Sequence, residues 1–89
     1  MLEKAIQMAK EDGYDLAVYD GEWEGYHVYL PIFLDGEPHY LGIPRTILEK
    51  DGELRFGTPV ENMAYLEFKT PVPTQEMIQR ALEILNETD

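Results

Sequence analysis

The chain contains no cysteine, so disulfides and thiolate metal centres are excluded outright. It contains no serine either. With both absent, neither Ser-His-Asp nor Cys-His nucleophilic catalysis can be assembled within it. A nucleophile would have to be Thr, Lys, Tyr, His or a carboxylate. Positive charge is scarce: seven Lys and Arg stand against 18 Asp and Glu, giving a formal net charge of −11. The basic residues Lys4, Lys10, Arg45, Lys50, Arg55, Lys69 and Arg80 are scattered, with no basic run. Nucleic-acid grooves draw most of their affinity from Lys and Arg neutralising phosphates, so direct nucleic-acid binding is not expected. Anionic membrane surfaces are disfavoured for the same reason. No apolar run approaches the roughly 20 residues of a membrane span. Residues 1–12 mix Glu and Lys with apolar residues, unlike a signal peptide. The expectation is a cytoplasmic protein.

The 89 residues suit one domain, residues 1–89, with one modest core. A hydrophobic fraction of 44%, with six Tyr, three Phe and one Trp, can fill that core despite the charge. The acidity itself reads first as solubility, and second as a face aimed at a basic partner.

Leu2, Ala5, Ile6 and Ala9 recur at helical spacing, with Lys4, Gln7, Lys10 and Glu11 opposite, so the chain opens on an amphipathic helix. Asp12-Gly13 ends it, because Gly can take the left-handed conformation of a helix stop. Three Asp-Gly-Glu triplets, at 20–22, 35–37 and 51–53, then separate β-rich runs. Asp-Gly is a strong hairpin signal, since both central residues of a type I′ turn need positive φ. The triplets predict an antiparallel meander of about five strands. At Asp35-Gly36 a two-residue loop sets Leu30 opposite Leu41 and Val28 opposite Ile43. One face is then aliphatic, with Val28, Leu30, Ile32, Leu41 and Ile43. At Asp20-Gly21 the same rule sets Val18 opposite Trp23 and Leu16 opposite Gly25. That clash of faces implies either a bulge at Gly25 or a sheet covered on both sides. At Asp51-Gly52, Ile47, Leu54 and Phe56 share a face.

Thr58-Pro59-Val60-Glu61 carries a helix start: a capping Thr, Pro at the first helical position and Glu three after the cap. A short helix to about Leu66 follows in preference to a strand. Thr74 caps a last helix whose stripe is Ile78, Ala81, Leu82 and Leu85, widened by Met77 and Ile84. The fold class is α+β, with the N-terminal and C-terminal helices packed on one face of the sheet.

Chemistry is hard to find in this pattern. His27 and His39 point to opposite faces in the expected register, so no metal site is expected. The Asp-Gly-Glu triplets lack the ligand spacing of calcium loops. Eighteen carboxylates make chance pairs such as Glu22 and Glu24 inevitable, and solvated charge is their expected role. The seven glycines form no phosphate loop. No catalytic residue, metal or cofactor is assigned.

The aromatic set is more informative. Trp23, His27, Tyr29, Phe33 and Tyr40 project to one side of the predicted sheet, as core or as a contact surface. The leading expectation is a non-enzymatic protein-interaction module that uses this face, including as a homodimer. A second is an acidic antagonist, of immunity type or a mimic of nucleic acid, that binds a basic partner. A third is a small-molecule binder with a pocket between sheet and helices lined by Tyr and His.

Overall fold

The computed structural model describes residues 1–34, 45–69 and 72–87. Its elements are α1 (Leu2–Glu11), β1 (Leu16–Trp23), β2 (Tyr26–Ile32), β3 (Ile47–Lys50), β4 (Glu53–Phe56), α2 (Pro59–Phe68) and α3 (Gln75–Glu87). The class is α+β, and the strands form one antiparallel sheet in the order β1-β2-β3-β4. Four strands are present among the described residues, where about five were expected. The Asp35-Gly36 turn and its return strand, with His39 and Tyr40, lie outside the described residues. One consequence of that hairpin is overturned: Val28 has Gly21 on one side and Leu48 on the other, so Ile43 is not its partner.

The first two strands depart most from the sequence reading. The chain turns at Glu24-Gly25, both at positive φ (51° and 81°), and Trp23 pairs with Tyr26. Asp20-Gly21 is not a turn. It is a bulge inside β1: Tyr19 faces Tyr29, Gly21 faces Val28, and Asp20 is the extra residue. The later turn sets Leu16 opposite Ile32 and Val18 opposite Leu30, and all four are at most 4% exposed. Burying each such aliphatic side chain is worth roughly 1.5–3 kcal/mol. Holding Glu24 at positive φ costs roughly 1–2 kcal/mol, so hydrophobic matching outweighs local turn preference. The Asp51-Gly52 turn forms as expected, with φ of 54° and 88° and Lys50 opposite Glu53. Ile47, Leu54 and Phe56 do share a face there, since Ile47 faces Phe56 and Leu54 faces Glu49.

The bulge decides which side chains stand on which face. Without it, alternation would keep Tyr19 and Trp23 together. With it, Tyr19 joins His27, Tyr29 and Ile47, while Trp23 joins Tyr26, Val28 and Leu48 on the other side. Both faces carry helices. α1 and α3 pack on each other and against β1, with Ala5, Ile6, Ala9 and Ala81 buried between them and the sheet. Met1, Leu2 and Ile84 border the Tyr19–Tyr29 face. The α1 stripe and its stop at Gly13 (φ 96°) follow the sequence pattern, as does the Thr74 cap on α3, which accepts from the Met77 N–H at 3.2 Å.

α2 lies against the opposite face and is fixed at three points. At its start, Glu61 N–H donates to Thr58 Oγ1 at 3.2 Å and Thr58 N–H donates to Glu61 Oε1 at 2.9 Å, a complete capping box. The same Glu61 receives a bidentate Arg55 at 2.7 and 2.8 Å, which ties α2 to β4. Those bonds hold the Glu61 carboxyl well below its usual range, at about 2. Next, Asn62 Oδ1 accepts from the Thr46 hydroxyl at 2.7 Å and the Thr46 N–H at 3.1 Å, both buried. Finally, the Tyr65 hydroxyl donates to the Asp20 carboxylate, and Lys69 reaches the same carboxylate at 3.2 Å and the Asp20 carbonyl at 3.0 Å. The Asp20 side chain is only 3% exposed. Among the described residues no helix is long and apolar enough to cross a membrane.

Gly57 has no room for a side chain. A Cβ there would press on Thr46 Oγ1 and Asn62 Oδ1 well inside van der Waals contact, and hydrogen bonds hold both atoms in place. Gly57→Ala is therefore expected to lower stability by about 1–3 kcal/mol. In urea unfolding the midpoint should fall with the slope unchanged; an unchanged midpoint would show that the Thr46–Asn62 contact yields freely.

Candidate functional site

The five aromatic and histidine residues expected on one face divide. Tyr29 is buried, 5% exposed, beneath α1 and α3. His27 stands beside it, half-exposed. Phe33, past the end of β2, meets the Tyr14 ring at 4.9 Å. Trp23 is on the other face, where its indole meets the edge of Tyr65 at 5.5 Å. Tyr40 lies outside the described residues. Two surfaces replace the single one, and each includes residues that the sequence pattern did not single out.

The first is a recess of about 420 Å³ between the sheet and the two packed helices. Its lining includes Tyr19, His27, Tyr29, Glu49, Arg80 and Ile84. Tyr19 and Tyr29 are cross-strand partners whose rings lie 5.3 Å apart at 54°. The Tyr19 hydroxyl and His27 Nδ1 are hydrogen-bonded at 2.9 Å, and the two rings are 5.8 Å apart. Glu22 approaches His27 Nδ1 at 3.9 Å, from a more exposed position. On the next strand Glu49 is paired directly with His27 and is 7% exposed. Its Oε1 accepts from the Gly52 N–H at 2.9 Å, which ties the recess to the β3–β4 turn. Arg80 is exposed on α3 and makes no ion pair among the described residues.

The field in this recess is negative. Burial raises the pKa of both tyrosine hydroxyls above the usual phenol value. Glu22 and Glu49 raise Tyr19 further, and Glu49 raises Tyr29. Tyr19 and Glu49 could be found only through pairing, because the Asp20-Gly21 bulge sets the first and the β2–β3 register the second. Arg80 sits on the polar side of an ordinary amphipathic helix and carries no sequence signal at all.

The second surface is the outer side of α2. Val60, Met63 and Phe68 are 78%, 50% and 62% exposed. With Ala64 they recur at i, i+3, i+4 and i+8, one helical face. The inner face is used by Asn62 and Tyr65. Tyr65 touches both Trp23 and Phe68, the latter at 6.0 Å, which makes one aromatic row across the strand and helix. Glu67 is exposed within that same helical face, and Glu24 is exposed next to Trp23 in the chain. The neighbouring cations Arg55 and Lys69 are held by Glu61 and Asp20. Among the described residues, no three His, Asp or Glu side chains come together as a metal site.

No protein-family model matches the chain, and no curated protein or solved structure shows significant similarity to it.

The tyrosines test the recess electrostatics. A folded-state pKa raised above the unfolded value adds stability below the ordinary phenol range, and that stability is lost as pH rises through the folded value. In alkaline spectrophotometric titration, Tyr19 and Tyr29 should ionise late. Glu49→Gln keeps an acceptor for the Gly52 N–H but removes the charge. It should move both back toward the ordinary value without moving Tyr65, whose pKa is raised by burial and then by Asp20. Identical curves for the two proteins would contradict the negative field.

Proposed function

We propose that the chain is a non-enzymatic protein-interaction module whose contact surface is the outer face of α2, and that its partner is a positively charged apolar segment. The observation that carries this is the exposure of Val60, Met63 and Phe68 on one helix of a small domain. Exposed apolar patches mark interaction sites. Phe68, exposed, and Trp23, partly exposed, supply aromatic side chains of the kind that dominate interface energetics, both packed on the buried Tyr65 ring.

Charge selects the partner. The chain carries −11, and Glu24 and Glu67 border the surface while its adjacent cations are already paired. A second copy would bring a further −11 and repel, whereas a basic segment would be steered in. This reading joins the interaction module to the acidic antagonist, with the contact surface moved from the sheet to α2. The proposed setting is the cytoplasm, with no direct contact with nucleic acid or membrane.

The sole tryptophan, Trp23, gives a fluorescence signal next to the surface. An amphipathic Leu-Lys peptide should change that signal and bind the double variant Met63→Ser, Phe68→Ser at least about tenfold more weakly. The exposed positions make fold stability change by no more than about 0.5 kcal/mol each. A Leu-Glu peptide should not bind. Equal binding to the variant would reduce the effect to bulk charge and remove α2 from it. A dimer by light scattering that dissociates on the same substitutions would assign the surface to a second copy instead.

A further inference from the structure

The recess over Tyr19 and Tyr29 is separate from the α2 surface, across the sheet from it, and has its own chemistry. We infer that it is a binding site for a small organic cation: a primary or methylated ammonium group carried on an apolar body. Three features point the same way. Tyr19, Tyr29 and His27 form one aromatic cluster in the lining, with Tyr19 and Tyr29 5.3 Å apart and His27 5.8 Å from Tyr19, so a cation in the recess lies against that cluster, mainly the more exposed Tyr19 and His27. Glu49 stands in the lining nearly buried, and Glu22 lies 3.9 Å from His27. The hydroxyls of both tyrosines feel Glu49, and that of Tyr19 also feels Glu22, so the negative field reaches the lining of the recess. Met1, Leu2 and Ile84 supply the apolar wall that an organic body requires and a metal ion does not. The volume of about 420 Å³ suits a molecule of one ring or a short chain.

Arg80 is the one guanidinium in the lining, and it decides between cation and anion. It lies between Glu76 and Glu83 on α3, and these three with Tyr19 also line an adjoining recess. Three carboxylates, those of Glu49, Glu76 and Glu83, therefore line the two recesses, with Glu22 beside His27 at the exposed edge, against one guanidinium. On this arrangement Arg80 competes with an incoming cation. An anionic ligand would instead need Arg80 as its main partner.

Benzylamine, benzyltrimethylammonium and benzoate serve as probes of similar shape and differing charge, followed by proton-nitrogen NMR of the whole chain. The two cations should shift the resonances of Tyr19, His27, Tyr29 and Glu49 with Kd on the order of 1 mM or tighter, and benzoate should not. Glu49→Gln should weaken cation binding at least about fivefold, and Arg80→Gln should strengthen it. Because Glu49 also holds the β3–β4 turn, Glu22→Gln at an exposed position repeats the test with the fold untouched. Binding of benzoate that is lost in Arg80→Gln would overturn the assignment in favour of an anion site. Absence of any shift at about 10 mM cation, or shifts confined to scattered surface carboxylates, would also overturn it.

Discussion

The carboxylate of Asp20 is buried against the hydroxyl of Tyr65 and the ammonium of Lys69, and the rest of the molecule is arranged around that contact. A buried carboxylate is tolerated only when hydrogen bonds and opposite charge replace its water, and the partners come from α2 and the Lys69 that follows it, far along the chain. The contact holds Asp20 outside the β1–β2 ladder as the extra residue of a bulge. It lets the hairpin run on to Glu24-Gly25, and so allows Leu16 and Val18 to meet Ile32 and Leu30. The same contact draws α2 onto the sheet, where the Thr46–Asn62 and Arg55–Glu61 bonds complete its seating. Backbone geometry, helix placement and core pairing thus depend on one side chain.

What was legible in the sequence was local. The α1 stripe, its glycine stop, the Asp51-Gly52 hairpin and the Thr58–Glu61 capping box each rest on interactions a few residues apart, and each forms as read. The short helix expected to about Leu66, in preference to a strand, forms and runs on to Phe68. The first hairpin was not legible. Locally Asp20-Gly21 is the better type I′ turn, because Asp tolerates positive φ more readily than Glu24. What overrides it is the pairing of Leu16 and Val18 with Ile32 and Leu30, together with the contacts of Asp20 to Tyr65 and Lys69, 45 and 49 residues away. Misplacing that turn by four residues joined Trp23 to His27 and Tyr29, and merged two surfaces into one.

The division has a functional sense. Trp23 leaves the sheet face occupied by α1 and α3 and becomes one end of the aromatic row that runs through buried Tyr65 to exposed Phe68. His27 and Tyr29 stay behind, in a recess whose polar partners, Tyr19 and Glu49, only strand pairing could bring together. The charge of the chain bears on both surfaces. Around α2 the local cations are consumed by internal pairs, so the acidic rim faces outward unopposed. In the recess, nearly buried Glu49 acts through less water and more strongly than a surface charge would. Acidity that reads as solubility in composition therefore acquires direction once the fold distributes it.

The bulge at Asp20 turns Trp23 away from Tyr29 and onto Tyr65. Through-space proton contacts of the indole test it directly. The account predicts cross-peaks from the Trp23 indole to the Tyr65 ring, with Tyr19 in contact with Tyr29 and His27. Cross-peaks from the Trp23 indole to the rings of Tyr29 or His27, with none to Tyr65, would restore the turn at Asp20-Gly21 and contradict it.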